Sequence, residues 1–244
     1  MSWTDKKAVE TILKLRDKFN IKDFVETGAF KGINARFHSR NFLQVKTCES
    51  NPEHYQDAIK NLSDCQNVHV YLRDSKSFLE RYICKHIFNQ REDMPLFFLD
   101  AHFYDIKLPK EKRFVVLDEL RALEGFNKGV VIIHDFANNL GHITYDGIDL
   151  NFDLLKDSLY KVNPNFYYYT NNLDNCDIVK PTIEDIEKSG LIADKETLDN
   201  LQYAWSSPRL TYRGILYCIP IELPKDISSK LTPWGSIINP NRKV

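Results

Sequence analysis

The residues best equipped to do chemistry in this sequence stand directly after short apolar runs. The first of these runs ends in Glu26-Thr27-Gly28-Ala29-Phe30-Lys31-Gly32. Gly28 permits a tight turn and a close approach of the backbone to a ligand, and Gly32 lets the following helix pack near the sheet. A charged residue that closes a buried strand beside a glycine favours a functional role for Glu26 over helix capping or a salt bridge. The turn is therefore a candidate cofactor loop.

Carboxylates also follow the second and third apolar runs. Glu49 closes the second run, about twenty residues beyond Gly28, where a carboxylate accepts hydrogen bonds from the ribose diol of nucleotide-type cofactors. Arg73, Asp74 and Ser75 follow the third run, where they are placed to contact an adenine. Asp-Ser before a helical stretch is equally an ordinary helix N-cap, so both interpretations of Asp74 stay open.

The fourth and fifth runs end in Asp100-Ala101-His102 and in His134-Asp135. Burying a carboxylate without a partner is costly, which argues that Asp100 has a role. His134-Asp135 at the end of a buried strand indicates substrate contact or metal binding. A lone histidine such as His102 is more often a satisfied surface residue, and the sequence leaves that alternative open.

These residues need a scaffold that brings the strand ends together. Short apolar runs alternate with helical patterns over the first two thirds of the chain, which predicts an α/β fold with a mostly parallel, doubly wound sheet and helices on both faces. Ligands bind outside the carboxyl ends of the strands in such sheets. The predicted strands are 23–26, 45–49, 68–72, 95–100, 129–135, 166–169 and 214–220, and the predicted helices are 5–18, 52–61, 75–88, 110–124 and 152–162.

The rest of the chain suggests one domain, 1–244, with an insertion at about 171–212. That insertion is polar and mixed, with short helices predicted at 183–189 and 195–204. After Pro224 the chain has little periodicity and is expected to pack irregularly or fray.

The length, net charge and cysteine content of the chain disfavour several classes of function. The chain has 244 residues and a formal net charge of −1, which disfavours a broad basic surface for nucleic acid. The five cysteines are scattered without a CxxC pair, as in proteins of a reducing compartment. With no signal-peptide pattern and no long apolar stretch, a cytoplasmic protein without a membrane span is expected. A monomer and a homo-oligomer both stay open, because the sequence does not separate exposed faces from interfaces.

The strand ends, taken together, resemble those of class I S-adenosylmethionine (SAM)-dependent methyltransferases. The matching motifs are E-T-G-x-x-x-G, the acidic end of the second strand, D-S, L-D-A-H and H-D, in order over residues 20–170. The resemblance implies a Rossmann-like seven-stranded sheet whose last strand, near residues 213–220, is antiparallel. It also implies a methionine pocket shaped by Glu26, Gly28 and Gly32, a ribose held by Glu49, and an adenine bordered by Asp74 and Ser75. The full set of implied cofactor-binding residues is Glu26, Thr27, Gly28, Ala29, Phe30, Gly32, Glu49, Ser50, Asp74, Ser75, Asp100, Ala101 and His102.

Within that class, the carboxylates look most like those of metal-assisted O-methyltransferases of small molecules and sugars. The resemblance implies a divalent cation such as Mg²⁺ on Asp100, His134 and Asp135, which would clamp acceptor oxygens and acidify the attacking hydroxyl. A histidine in the middle position is a poorer Mg²⁺ ligand and favours a softer metal. The metal-free alternative uses His102 or His134 as general base. Asp100, His102 and His134 are thus the predicted catalytic residues.

Two other functions compete with this one. A nicotinamide-dependent oxidoreductase would share the glycine turn and Glu49, but residues 28–32 do not satisfy G-x-G-x-x-G. A binding protein could also have kept the fold and lost the chemistry. The preferred partner is a hydroxylated small molecule or a glycan. An RNA acceptor is disfavoured by the near-neutral charge, and Asp100-Ala101-His102-Phe103 lacks the proline pair of an N-methylation motif.

Overall fold

The structure of the chain is a computed structural model that describes residues 6–101, 109, 114–138, 148–171, 214–229 and 231–233. The strands are β1 (Asp23–Thr27), β2 (Gln44–Glu49), β3 (Val68–Leu72), β4 (Leu96–Leu99), β5 (Val130–His134), β6 (Tyr167–Thr170), β7 (Ile215–Ile219) and β8 (Thr232–Pro233). The helices are α1 (Lys6–Phe19), α2 (Ile33–Ser39), α3 (Pro52–Asn61), α4 (Ser75–Phe88), α5 (Val115–Ala122), α6 (Phe152–Val162) and α7 (Lys225–Ser228).

One sheet of eight strands, in the order β3-β2-β1-β4-β5-β7-β6-β8, organises the described residues. Strands β1 to β5 pair in parallel, whereas β7 pairs antiparallel with both β5 and β6. The predicted Rossmann-like α/β fold with a reversed strand near residues 213–220 is thus confirmed. The prediction of seven strands is wrong by one, because β8 adds to β6 beyond the reversed strand.

The helices cover both faces of this sheet, as its buried strands require. Strands β4 and β5 are buried at every position, which explains the continuous apolar runs at residues 96–99 and 130–133. Helices α4, α5 and α6 pack their apolar residues against one face. Helices α1, α2, α3 and α7 pack on the other. No helix in the described parts of the chain is both long and apolar enough to cross a membrane.

The local signals placed most element boundaries within about two residues. Helices α3, α4 and α6 have the predicted bounds because each begins at a side-chain cap, namely Asn51, Asp74 and Asn151. The chain after Pro224 was expected to pack irregularly or fray, but its described residues, 225–229 and 231–233, include helix α7 and strand β8. Ile227 of α7 and Leu231 are buried in the core, and apolar burial keeps this segment in place. The insertion at about 171–212, with its two predicted helices, lies outside the described residues apart from Asn171.

The strand register brings the informative residues to one edge. Thr27 is level with Cys48 on β2 and with Leu99 on β4, and Leu99 is level with Ile133 on β5. The residues that follow these positions, namely Gly28, Glu49, Asp100 and His134, therefore lie side by side at the carboxyl edge of the sheet.

Candidate functional site

An open cleft of about 1020 Å³ lies at the carboxyl edge of β1 to β4. Parallel α/β sheets bind ligands at this edge, where successive loops diverge. The residues that line the cleft are Gly28, Phe30, Cys48, Glu49, Ser50, Asn51, Pro52, Glu53, His54, Arg73, Asp74, Ser75, Asp100, Ala101 and Val115. Eight of them belong to the predicted cofactor-binding set, namely Gly28, Phe30, Glu49, Ser50, Asp74, Ser75, Asp100 and Ala101.

Gly28 forms the floor of the cleft through a turn that other residues would disrupt. Its φ angle of 78° lies in the left-handed region, and a Cβ atom there would be 2.8 Å from the carbonyl oxygen of Asp100 and 2.9 Å from Cα of Ala101. The backbone N–H groups of Gly28 and Ala29 donate to the carbonyl of Cys48, at 3.1 and 2.8 Å. The turn is thus anchored to the neighbouring strand, and backbone forms this part of the cleft wall.

Gly32 permits a close helix contact, but the contact is with the end of α3 and not, as its position had predicted, with the sheet. Its φ angle is 82°, and a Cβ atom would come within 2.7 Å of Cδ1 of Leu62, the residue that follows α3. Gly32 thus lets the start of α2 pack closely against the end of α3. It does not line the described cleft.

Glu49 presents a carboxylate that the backbone holds in place. Its Oε2 accepts a hydrogen bond of 2.8 Å from the N–H of Phe30, and its Oε1 accepts one of 2.9 Å from the N–H of Asn51. Each carboxylate oxygen has further acceptor capacity. Because the residue lines the cleft, this capacity is available to a hydroxyl-bearing ligand.

Glu26, by contrast, lies behind the cleft wall. Its Oε1 accepts from Nδ2 of Asn34 and its Oε2 accepts from the hydroxyl of Thr47, both at 2.7 Å. Burial raises the pKa of Glu26 to about 7, which outweighs the opposite effect of these two hydrogen bonds. The carboxyl thus joins β1, β2 and α2, and it does not line the described cleft.

Thr27 and Asp74 support the cleft from neighbouring strand ends. The hydroxyl of Thr27 accepts a hydrogen bond of 3.2 Å from the backbone N–H of Asp100. Asp74 caps α4 by accepting 2.9 Å from the N–H of Ser77, and it also lines the cleft with Ser75. Burial alone would raise the pKa of Asp74, but hydrogen bonds from Ser77 and the charge of Arg73 hold it below its usual value. Asp74 therefore caps helix α4 and also forms part of the cleft wall.

Asp100, His134 and Asp135 meet at the end of β4 and β5. Nδ1 of His134 lies 3.0 Å from Oδ1 of Asp100 and 3.3 Å from Oδ1 of Asp135. Burial lowers the pKa of His134, although the two carboxylates act in the opposite direction. Asp135 has a φ angle of 58°, a conformation that costs free energy in a residue other than glycine. Of the three, only Asp100 lines the cleft.

The arrangement of this trio does not fit the predicted metal site. In the described parts of the chain, no group of three or more His, Cys, Asp or Glu side chains is placed to hold a metal ion. Nδ1 of His134 faces both carboxylates, and His134 and Asp135 are 3% and 4% exposed, behind the cleft wall. An ion that clamps acceptor oxygens needs ligands that open to the cleft, and Asp100 alone does so. The metal prediction on Asp100, His134 and Asp135 is therefore unsupported.

The start of α3 supplies cleft residues that the site prediction missed. Asn51, Pro52, Glu53 and His54 line the cleft, and the His54 ring contacts Phe30 edge-on at 4.6 Å between centroids. Their position was implied by topology, since a helix that begins right after β2 must start at the carboxyl edge.

Cys48 and Val115 complete the missed lining, whereas Arg73 lines the cleft together with Asp74 and Ser75, the group to which the sequence assigned it. Burial raises the pKa of the Cys48 thiol well above its usual value, so this residue is a protonated, weakly polar part of the wall. Predicted His102 lies outside the described residues. Predicted Ala29 is not part of the cleft lining and contributes its backbone N–H to the turn.

The fold is similar to several solved structures at low identity. An rRNA methylase from Streptococcus thermophilus is 12% identical, covers 88% of this chain and 97% of its own, and has a TM-score of 0.46. A SAM-dependent methyltransferase from Anabaena variabilis is 15% identical over 67% of this chain and 72% of its own, with a TM-score of 0.42. Phosphoethanolamine N-methyltransferase 2 from Haemonchus contortus, bound to phosphomonomethylethanolamine and S-adenosylhomocysteine, is 14% identical over 86% of this chain and 52% of its own, with a TM-score of 0.48.

Comparison at the level of sequence finds no matching family model and no matching curated protein. The three solved structures are similar to this chain in fold, each with a TM-score below 0.5.

Proposed function

We propose that this chain is a SAM-dependent methyltransferase that methylates a hydroxyl group of a small molecule or a sugar. The observation that carries the proposal is the Glu49 carboxylate, which two backbone N–H groups hold at the mouth of a cleft beside a glycine turn. A fixed carboxylate at the end of a second parallel strand suits the two hydroxyls of a ribose. The motif order of the strand ends supports SAM over other nucleotide-type cofactors.

The cleft residues divide among the parts of such a cofactor. Glu49 would accept hydrogen bonds from the ribose hydroxyls. The backbone at Gly28 and Ala101 would contact the methionine portion, because Gly28 lets these two backbone segments approach each other closely at the floor of the cleft. Asp74 and Ser75 would border the adenine at the start of α4. The insertion at about 171–212 is proposed to cover the acceptor within a single domain spanning 1–244.

When bound, SAM supplies an electrophilic methyl group on a sulfonium, and the acceptor oxygen must lose its proton as the C–O bond forms and the C–S bond breaks. Asp100 is the described acidic group that the resemblance places at the reacting centre, and it lines the cleft. His134 lies 3.0 Å behind it and orients the carboxylate. Asp100 therefore accepts the proton or holds the acceptor hydroxyl in line, and His134 is its positioning residue.

Calorimetric titration tests the cofactor assignment. The purified chain is titrated with SAM and S-adenosylhomocysteine, each with and without Mg²⁺, and with NAD⁺ as control. Binding of both sulfur compounds and no binding of NAD⁺ is expected. Binding of NAD⁺ alone would favour the oxidoreductase, and binding of none of them would favour a protein that has kept only the fold.

An acceptor screen with hydroxylated small molecules and sugars then tests the chemistry. Asp100→Asn should retain S-adenosylhomocysteine binding and reduce turnover by about 10²–10⁴-fold, the range for loss of a general base. Turnover close to that of the parent chain would remove Asp100 from the reaction.

A further inference from the structure

A second cavity, of about 130 Å³, lies between α4 and the β2–β3 edge of the sheet. Its lining residues are Lys46, Tyr71, Arg73, Phe78, Arg81, Tyr82, Lys85, His86, Asn89 and Arg91. Five of these ten side chains are cationic and none is acidic, in a chain whose formal net charge is −1. Such a concentration of one sign of charge around a cavity favours an anion.

Two of the five cations are already neutralised within the protein. Lys46 lies 2.6 Å from the buried carboxylate of Asp23, and Arg91 makes two hydrogen bonds of 2.8 and 3.1 Å to the same group. Arg91 also pairs with Asp93. A third, Arg73, lies beside Asp74, and its charge lowers the pKa of that carboxyl. The side chains of Arg81 and Lys85, in contrast, make no hydrogen bond or ion pair within the described parts of the chain. Their charges remain available to a ligand in the cavity.

His86 adds a polar group that has no partner in the described protein. Its side chain is 3% exposed, and neither ring nitrogen makes a hydrogen bond there. Leaving buried polar atoms unsatisfied is costly, so a ligand that bonds to His86 would recover free energy. Burial and the charge of Arg91 lower the pKa of His86, and a neutral imidazole offers both a donor and an acceptor.

Three aromatic side chains, of Tyr71, Phe78 and Tyr82, also line the cavity, together with Asn89. Tyr71 and Phe78 contact each other at 5.5 Å between ring centroids, and Tyr82 lies under Nζ of Lys46 at 5.6 Å. Cavities of roughly 150 Å³ hold one benzene ring in other proteins, so a single ring is the size of apolar group that this cavity admits. The cavity thus combines an apolar floor with a cationic rim.

We propose that this cavity binds a small phosphate monoester whose ester group is an aromatic ring or an apolar group of similar size. Arg81 and Lys85 bind the phosphate, His86 hydrogen-bonds to it, and the ester group packs on Tyr71, Phe78 and Tyr82. A phosphate monoester carries close to two negative charges at neutral pH and matches two free cations better than a carboxylate does. This site is separate from the cofactor cleft, with Arg73 as the shared wall.

Calorimetric titration of the full chain with phenyl phosphate, in a phosphate-free buffer, tests the proposal without any cofactor. Saturable binding is expected, with weaker binding of inorganic phosphate and no measurable binding of phenol. Arg81→Gln and Lys85→Gln should each weaken binding of phenyl phosphate by about tenfold, because each removes one charge-assisted contact. Both side chains are exposed, so thermal unfolding should show that the variants fold.

Lys76→Gln is the matched control, since Lys76 is exposed on the same helix and lies outside the cavity, 4.0 Å from Glu80. This variant should bind phenyl phosphate as the parent chain does. The proposal is overturned by an absence of binding at millimolar phenyl phosphate, or by an equal loss in Lys76→Gln. If phenol binds as strongly as phenyl phosphate, the cavity is not an anion site. If inorganic phosphate binds as strongly as phenyl phosphate, the cavity has no apolar subsite.

Discussion

Strands β1 and β2 lie side by side, and a glutamate stands at or near the end of each, but the two carboxylates have different surroundings. Glu26 is 1% exposed and bonds to the side chains of Asn34 and Thr47. Glu49 is 9% exposed and bonds to backbone N–H groups of the loops that flank the cleft. The first residue joins elements of the core, and the second lines the cleft.

Position along the strand accounts for this difference. Glu26 is level with Thr47, one residue before the strand end, so the neighbouring strand and α2 enclose its side chain. Glu49 follows Cys48, at the last position of β2, where the chain turns away and leaves the carboxylate at the cleft. A shift of two residues along the sheet register thus separates a structural acid from a candidate binding acid.

The turn between the two glutamates should give the largest effect. Gly28→Ala should destabilise the chain by about 2–4 kcal/mol and abolish S-adenosylhomocysteine binding, because the new Cβ would clash with the backbone of Asp100 and Ala101. Gly125→Ala is the matched control, with a φ angle of 77° and nothing within 4 Å of the new Cβ. It should cost only the left-handed strain, about 1–2 kcal/mol, and leave binding intact. Urea denaturation measures the loss of stability and calorimetry measures the loss of binding. Equal losses in the two variants would contradict the close approach of Gly28 to the backbone of Asp100 and Ala101.

Glu26→Gln tests whether the first glutamate is a core residue. Burial raises the pKa of Glu26 in the folded chain to about 7, above the ordinary value of 4.5. The folded chain keeps a proton that the unfolded chain loses, so this carboxyl costs stability as pH rises from about 4.5 to about 7. Glutamine removes that cost. The stability of Glu26→Gln relative to the parent should rise by up to about 3 kcal/mol between about pH 5 and about pH 8. Urea denaturation at the two pH values measures it, and a pH-independent difference would contradict the buried carboxyl.

Glu49→Gln tests the second glutamate. An amide cannot accept hydrogen bonds on both of its ends, so the variant loses one backbone contact and part of the proposed ribose site. Affinity for S-adenosylhomocysteine should fall by about 1–3 kcal/mol. Glu26→Gln carries the same substitution on the adjacent strand and should leave this affinity unchanged in the same calorimetric assay. A larger loss of affinity in Glu26→Gln than in Glu49→Gln would contradict the roles assigned to the two glutamates.

Asp74→Ala extends the comparison to the third strand end and should give the smallest effect. Loss of the helix cap should cost about 1 kcal/mol of stability. Asn151→Ala is the matched control, because Asn151 caps α6 through a 3.0 Å bond from the N–H of Leu154 and does not line the cleft. Both variants should lose similar stability in thermal unfolding, and only Asp74→Ala should weaken S-adenosylhomocysteine binding. Unchanged binding would leave Asp74 as a cap alone.

Much of the fold was predictable because local signals agree with the tertiary arrangement. Asn51-Pro52 and Asp74-Ser75 mark helix starts, and the apolar run at residues 96–99 is compatible with a strand buried on both faces. The short strand β8 was not predictable, because Thr232–Pro233 has no strand pattern of its own. It depends on its pairing with β6 and on burial of the neighbouring Leu231.

The sequence by itself determined the order of the elements and the polar strand ends that meet at one edge, since periodicity, caps and glycines act over a few residues. Only the tertiary structure decided which of those polar groups reach the cleft. Glu26, His134 and Asp135 carry suitable chemistry but are enclosed by neighbouring strands, whereas Glu49 and Asp100 are not. The basic cavity beside α4 was equally invisible, because Lys46 and Arg81 come together only through packing. Exposure depends on residues distant in the chain, and no local pattern encodes it.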